Sequence, residues 1–213
     1  MITQVTRLGV SVGRTQEIEA ARTQFARQQC ILLPQFLAPD LLARFQQRIA
    51  FASFELRVHD QVTPPPVDLC MNAPDIEGGL HFLVNDQRLF RVVESITDCG
   101  LIGCYLGAVY KMVPGQGHYD TWHDDLDGNR LITLSVNLSA GVFEGGALQL
   151  MDWDGQRLIH EVANTGAGDA ILFQLSPRLK HRLTEVIGTL PKVALAGWFR
   201  KWPRYEDRFP RTL

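Results

Sequence analysis

PGQGHYDTWHDDLDGNRLITLSVNL, residues 114–138, holds two His-x-Asp pairs ahead of a run rich in β-forming residues. The pairs are His118 with Asp120 and His123 with Asp125. Side chains two residues apart on an extended strand share a face, so either pair can aim an imidazole and a carboxylate at one ion. The pairs compete, because the offset between the two histidines is odd and strand parity turns them to opposite faces unless a bulge intervenes. His118 follows the PGQG turn directly, as the start of a solvated strand would. His123 and Asp125 open into LDGN, where a carboxylate can swing onto a metal. That context favours the second pair, beside the plainer reading of HDD as a polar turn. A third ligand must come from elsewhere; two imidazoles and one carboxylate would then cover one face of an octahedral metal and leave positions open.

Working outward, residues 103–200 alternate short apolar runs with Gly, Pro, Asp and Asn, the texture of an all-β sandwich or barrel. Strands are expected at 104–113, 118–123, 131–139, 147–152, 158–162, 170–175, 181–187 and 193–200, enough for a double-sheet jelly roll. PGQG, DGN, EGG, DG and GAGD supply the turns. Upstream, apolar residues recur at helical spacing over 15–29 and again from Pro39 or Asp40 through Leu41, Leu42, Phe45 and Ile49. A brief buried strand at 30–33 separates them. Residues 53–80, with Pro64, Pro65, Pro66, Pro74, Gly78 and Gly79, read as a loop. A third helix is expected over 86–97, capped by Asn85. The expected fold is therefore mainly β with N-terminal helices. A single domain over 1–213 divides into a helical support and substrate-loop region (1–102), a β core (103–201) and a tail (202–213).

Composition narrows the function classes. The chain has 213 residues, 46% of them hydrophobic, and a formal net charge of -2, which gives no long-range pull on nucleic acid or an anionic membrane. No apolar run reaches the roughly 20 residues needed to span a bilayer. Cys30, Cys70, Cys99 and Cys104 lack CxxC spacing and no leader pattern precedes them, so free thiols in a cytoplasmic protein are expected. Arg200, Lys201, Arg204, Arg208 and Arg211 alternate with Trp202, Tyr205 and Phe209. That pattern suits stacking on single-stranded nucleic acid, but an ordered flank packing on the barrel is the plainer account.

Six histidines are available for the missing ligand. His59 and His81 fall in or beside the irregular segment, and are read as structural or substrate-loop residues. His160 faces away from Glu161, since adjacent strand residues point oppositely. His181 opens a β run just after SPRLK, where its side chain can enter a barrel mouth.

With these residues in view, the chain resembles the 2-oxoglutarate and Fe(II)-dependent oxygenases of the prolyl 4-hydroxylase-like superfamily. The likeness runs from about Val109 to Arg200 and keeps the family's motif order. PG-x-G precedes His123-Asp124-Asp125, followed by the Arg130 to Thr133 strand, the LSAGVFEGGALQL hairpin, GDAILF, and HRLTEVIGTLPKVALAGWF from His181 to Phe199. The resemblance implies a double-stranded β-helix core of the jelly-roll, cupin-like kind, and Fe(II) bound by His123, Asp125 and His181. It assigns the distal carboxylate of 2-oxoglutarate to Lys192, six residues before Trp198. The physics agrees, since a cation inside a barrel is costly without an anionic partner. Val113 and Asn137 stand where the family carries aromatic hydroxyls, which leaves Asn137, Thr133 and Ser135 as candidates for holding the cosubstrate. His118, Asp120 and Arg130 are candidates for supporting or substrate contacts.

The chemistry so implied uses O2 to decarboxylate 2-oxoglutarate to succinate and CO2 while hydroxylating an unactivated C–H bond. Three readings compete: an oxygenase for a prolyl or other residue in a peptide or protein, one for a free amino acid or other small metabolite, and a non-catalytic cupin-like metal-binding or sensor protein.

Overall fold

The computed structural model describes residues 1–58, 67–163 and 166–203. An N-terminal hairpin, β1 (Thr3–Thr6) and β2 (Gly9–Val12), leads into α1 (Thr15–Gln28). The Glu17 carboxylate accepts the Arg14 N–H at 2.8 Å, which satisfies one orphan donor where that helix begins. Next come β3 (Cys30–Leu33) and α2 (Pro39–Ile49), whose buried residues Leu41, Leu42, Phe45 and Ile49 are those the periodicity selects.

The segment expected as loop is instead ordered structure over most of its described length. It forms β4 (Ser53–Val58), β5 (Val67–Asn72) and α3 (Pro74–Val84). The β4–β5 hairpin pairs residue for residue from Ser53 with Asn72 to Val58 with Val67. Its inner strand, β5, adds to the main sheet at Leu69 and Cys70. Because β4 is an edge strand with little burial on either face, it carries no apolar alternation for the sequence to display. In α3, Gly78 and Gly79 cost about 1 kcal/mol each against alanine. Burial of Ile76, Leu80, His81 and Val84 outweighs that, and Pro74 occupies the first turn, where its missing N–H is no loss. Asn85 ends α3 rather than capping its successor: it donates to the His81 carbonyl and accepts the Tyr105 N–H at 2.7 Å. Asp86 caps α4 (Gln87–Thr97), accepting the Arg88 N–H at 2.7 Å.

The β region contributes β6 (Cys104–Met112), β7 (Arg130–Asn137), β8 (Glu144–Gly145), β9 (Leu148–Asp152) and β10 (Leu158–Val162). It closes with β11 (Ala170–Gln174), β12 (Leu179–Leu183), β13 (Val186–Ile187) and β14 (Lys192–Arg200). The expected strand over 118–123 is absent; Tyr119 and His123 make only isolated bridges, to Val67 and His181. The major sheet has seven antiparallel strands in the order β3-β11-β7-β14-β6-β5-β4. Facing it are β10-β9-β12 and the small pair β13-β8, which completes a jelly roll.

Strand parity divides the major sheet into two sides. Ile132, Leu134 and Val136 of β7, with Val193, Leu195 and Phe199 of β14, pack against Phe25, Leu89, Phe90 and Val93 of the helices. The alternate residues Thr133 and Ser135, and Lys192, Ala194, Ala196 and Trp198, line a cavity between the sheets. The helices thus close one face, and the other is left for chemistry. All four cysteines are unpaired thiols. Among the described residues no helix is long and apolar enough to cross a membrane.

Candidate active site

His123 and His181 meet because their backbones form a reciprocal antiparallel bridge, each N–H donating to the other's carbonyl at 3.1 and 2.8 Å. Directly opposed residues in such a pair present their side chains to the same face, and here the ring centroids are 4.2 Å apart. Asp125 has φ 59°, a left-handed conformation that Asp tolerates better than most residues. This kink, not strand parity, turns its carboxylate back towards the rings. Oδ2 lies 3.3 Å from His181 Nε2 and 3.6 Å from His123 Nε2. One ligand atom from each residue therefore falls within 4.8 Å of the others.

The donors are held from behind. His123 Nδ1 donates to the Thr121 carbonyl at 2.6 Å, leaving Nε2 as the atom that faces the cluster. Arg130 donates to both Oδ1 and the backbone carbonyl of Asp125, at 3.1 and 3.0 Å. Trp198 Nε1 donates to Oδ2 at 3.1 Å, and the Arg130 guanidinium stacks 3.6 Å above the Trp198 ring. Burial alone would raise the Asp125 pKa, but hydrogen bonds and charge from the two histidines hold it far below the usual carboxylate range. For His123, burial works downward, and the Asp125 hydrogen bond with the charges of Asp120 and Asp125 outweighs it, to about 9. Burial keeps His181 below the ordinary histidine value.

The donors open on a cavity of about 470 Å³. Lys192 enters it from β14, buried to 5% exposure, and burial pushes its pKa down to about 8. Its Nζ donates to the Gly146 carbonyl at 2.6 Å. Gly146 itself has φ +57°, and a Cβ there would come within 2.9 Å of the lysine Cδ, so the EGG turn makes room for this side chain. Thr133 sits opposite Trp198 in the register, with its buried Oγ1 lacking any partner among the described residues. Ser135 lines the same wall.

Two expected contacts fall elsewhere. The Asn137 amide serves the loops at the end of β7, donating to the Gly166 carbonyl at 3.0 Å and accepting the Ser139 N–H at 2.9 Å, and it does not line the cavity. His118 is buried, and its Nδ1 accepts the Val113 N–H at 2.9 Å, closing the PGQG turn from within. Asp120 does line the cavity; its Oδ1 accepts the Thr121 N–H at 2.8 Å and lies 3.6 Å from His123 Nδ1. Burial raises its pKa, against the opposing charges of His123 and His181. His81 Nε2 is 2.6 Å from the Gly107 carbonyl at the helix–sheet interface, and His160 lies on β10. His59 and the tail beyond residue 203 lie outside the described residues.

Sequence reasoning missed Arg57, Asp68, Tyr110 and Tyr119, which also line the cavity, and treated Trp198 only as a spacing marker. Arg57 and Asp68 are directly opposed across the β4–β5 hairpin and pair through two nitrogens at 3.0 and 2.6 Å, with the guanidinium 4.0 Å from the Tyr110 ring centre. The charged residues at paired positions were the available signal, hidden by reading the segment as loop.

Comparison with known proteins agrees with this geometry. Residues 107–200 match the family model described as the 2OG-Fe(II) oxygenase superfamily. This region is a 2OG-Fe(II) oxygenase domain. No curated protein sequence matches the chain significantly. Among solved structures, an oxidoreductase of the 2OG-Fe(II) oxygenase family from Burkholderia pseudomallei superposes with TM-score 0.67 at 15% identity, covering 92% of this chain and 95% of that one. A prolyl-4-hydroxylase from Pseudomonas putida gives 0.63 at 20% identity over 87% of this chain and 100% of its own. A prolyl hydroxylase from Trichoplax adhaerens, solved with a hypoxia inducible factor oxygen degradation domain peptide fragment, gives 0.57 at 13% identity over 88% and 94%. The protein is a 2-oxoglutarate-dependent dioxygenase that uses Fe(II), 2-oxoglutarate and O2. The residues present fit that set: two imidazoles and a carboxylate converge, and a buried lysine and an unpartnered hydroxyl line the cavity beside them.

Proposed function

We propose that the protein hydroxylates an unactivated C–H bond of a prolyl or other residue in a peptide or protein, releasing succinate and CO2. The observation that carries the chemistry is the convergence of His123, Asp125 and His181 on one end of a cavity whose wall also holds Lys192. In this reading the three donors hold Fe(II), and Lys192 and Thr133 receive 2-oxoglutarate. Bound together, iron and cosubstrate supply the O2-derived oxidant. The protein's own residues supply order. Arg130 and Trp198 fix the Asp125 carboxylate from two sides, and Thr121 fixes the His123 tautomer. The apolar walls Leu148, Ile171 and Phe173 exclude water from the reacting carbon. The peptide reading is supported by the fold shared with the two prolyl hydroxylases.

The test is incubation with Fe(II), 2-oxoglutarate, O2 and a library of proline-containing peptides, followed by mass spectrometry for products heavier by one oxygen. Coupled succinate and oxygenated peptide are expected, and His123→Ala and Lys192→Ala each abolish both. Succinate coupled to oxidation of small amino compounds, with no peptide product, replaces the peptide reading with the small-metabolite one. The second reading has its own support, because a cavity of about 470 Å³ lies within the range of small-molecule sites. Failure to bind 2-oxoglutarate or form succinate under any condition would sink both.

A further inference from the structure

Among the described residues, two of the cations lining the cavity are held by carboxylates. Arg57 is engaged by Asp68 through two bonds, and Arg130 is shared between Asp125 and Asp127 at 3.1 and 3.3 Å. Lys192 turns its Nζ to the Gly146 carbonyl. Among the described residues no cation donates a hydrogen bond to Asp120; the charges of His123, His181 and Lys192 reach it only through space. Its Oδ1 takes the N–H of its own neighbour Thr121, and the nearest basic atom, His123 Nδ1 at 3.6 Å, directs its proton to the Thr121 carbonyl. A carboxylate largely withdrawn from water and facing a cavity is costly unless a cation meets it there.

Its place in the fold says what would meet it. Tyr119, one residue earlier, bridges Val67, which begins β5 opposite Val58 at the loop end of the β4–β5 hairpin, while His123 lies three residues later. Asp120 thus stands on the cavity wall between the hairpin and the three donors. We infer that Asp120 is a specificity-determining residue that receives a protonated amine of the substrate. The inference rests on the oxygenase reading above and deepens it. An ammonium docked on Asp120 puts carbon atoms close to that amine, rather than remote ones, over the donors. Tyr119, lining the same wall, offers the ammonium an aromatic neighbour.

The experiment uses matched probes: 1,4-diaminobutane, L-ornithine, L-lysine and a lysine-centred pentapeptide, each beside its fully N-acetylated form. The first readout is the shift of the visible charge-transfer band of the anaerobic Fe(II) and 2-oxoglutarate complex; the second is succinate released on adding O2. At least one amine is expected to act at a concentration about tenfold or more below its acetylated twin, the scale of a desolvated charge pair. Asp120→Asn brings that ratio close to one, and Asp120→Glu, which keeps the charge, preserves it. Reading the ratio within each variant removes differences in folded fraction. Activity by the diamines and free amino acids alone, or by the pentapeptide alone, identifies the source of the amine, and either supports the inference. A ratio near one for every pair in the wild type, or an unchanged ratio in Asp120→Asn, overturns it while the band itself remains. Loss of the band and of all succinate in the wild type removes the oxygenase reading, and the inference with it.

Discussion

The two ends of the cavity are built on opposite plans. At one end Asp125 receives bonds from Arg130 and Trp198, faces both imidazoles, and is kinked into position by its own backbone. At the other, six residues along β14, Lys192 has one bond to a carbonyl and, among the described residues, no anion bonded to it, only the longer-range charge of Asp120. The first end is over-determined before any ligand arrives. The second is a buried cation waiting for charge. The difference teaches where folding free energy and binding free energy are stored: the donor end is stabilised by its own contacts, whereas the lysine end would be stabilised by an anion bound there.

The largest effects should come from the donors. Replacing His123, Asp125 or His181 by alanine is expected to weaken Fe(II) binding by more than about a hundredfold, since removal of a ligand exceeds the roughly 10- to 100-fold cost of losing a supporting contact. Anaerobic titration with Fe(II) measures this, and a variant that binds within a few-fold of the wild type would remove that residue from the site. Asp125→Asn is a sharper form, because it keeps the shape and the Trp198 contact while removing the charge.

Lys192→Met should act on the cosubstrate and spare the metal. Loss of a charge-assisted contact of about 1.5–3 kcal/mol lowers 2-oxoglutarate affinity roughly 10- to 150-fold. The pH signs at this lysine run in opposite directions for binding and for stability. Its pKa falls from the ordinary 10.5 to about 8 on burial, so between those values the unfolded chain holds more protons than the folded one. Stability therefore rises with pH from about 8 to 10.5, and that rise is absent in Lys192→Met. Binding of an anion to the same lysine weakens over the same window as the charge is lost. Thermal melts and calorimetric titration with 2-oxoglutarate across this range check both; parallel trends would contradict the assignment.

Trp198→Phe is a smaller and more selective change. It removes the Nε1 donor to Asp125 Oδ2 while Arg130 still holds Oδ1. Metal affinity should fall about tenfold, the low end of the range for supporting contacts. An unchanged value would show that Arg130 alone orients the carboxylate.

How much of this was legible in the sequence follows from where the information lay. The donors and Lys192 were picked out by the resemblance in motif order, and Thr133 as a candidate on the same strand pattern; all of them line the cavity. The route by which the donors meet was not legible. Parity assumed an extended strand through 118–125, whereas His123 and His181 meet in an isolated bridge and Asp125 leaves strand geometry altogether. Asn137 and His118 misled for another reason: both are polar and buried at the right places, but their hydrogen-bonding capacity goes to loop backbone, which sequence spacing does not record. The β4–β5 hairpin was hidden because three consecutive prolines and an edge strand without alternation both read as loop. Its cross-strand Arg57 and Asp68 become visible only once the register is known.

Thr133→Val tests the contrast at its finest. The Thr133 hydroxyl is buried without a partner among the described residues, so the fold bears its desolvation while gaining no hydrogen bond. Valine has nearly the same shape and suits a strand, so replacing the hydroxyl should leave stability unchanged or raise it by up to about 1 kcal/mol. If the hydroxyl is kept for the cosubstrate, the same change should lower 2-oxoglutarate affinity by about three- to tenfold, the worth of one ordinary hydrogen bond. Opposite signs for stability and affinity are what separate a group held for a ligand from one held for the fold. A variant that loses stability while binding 2-oxoglutarate normally would place Thr133 among the structural residues, beside Asn137.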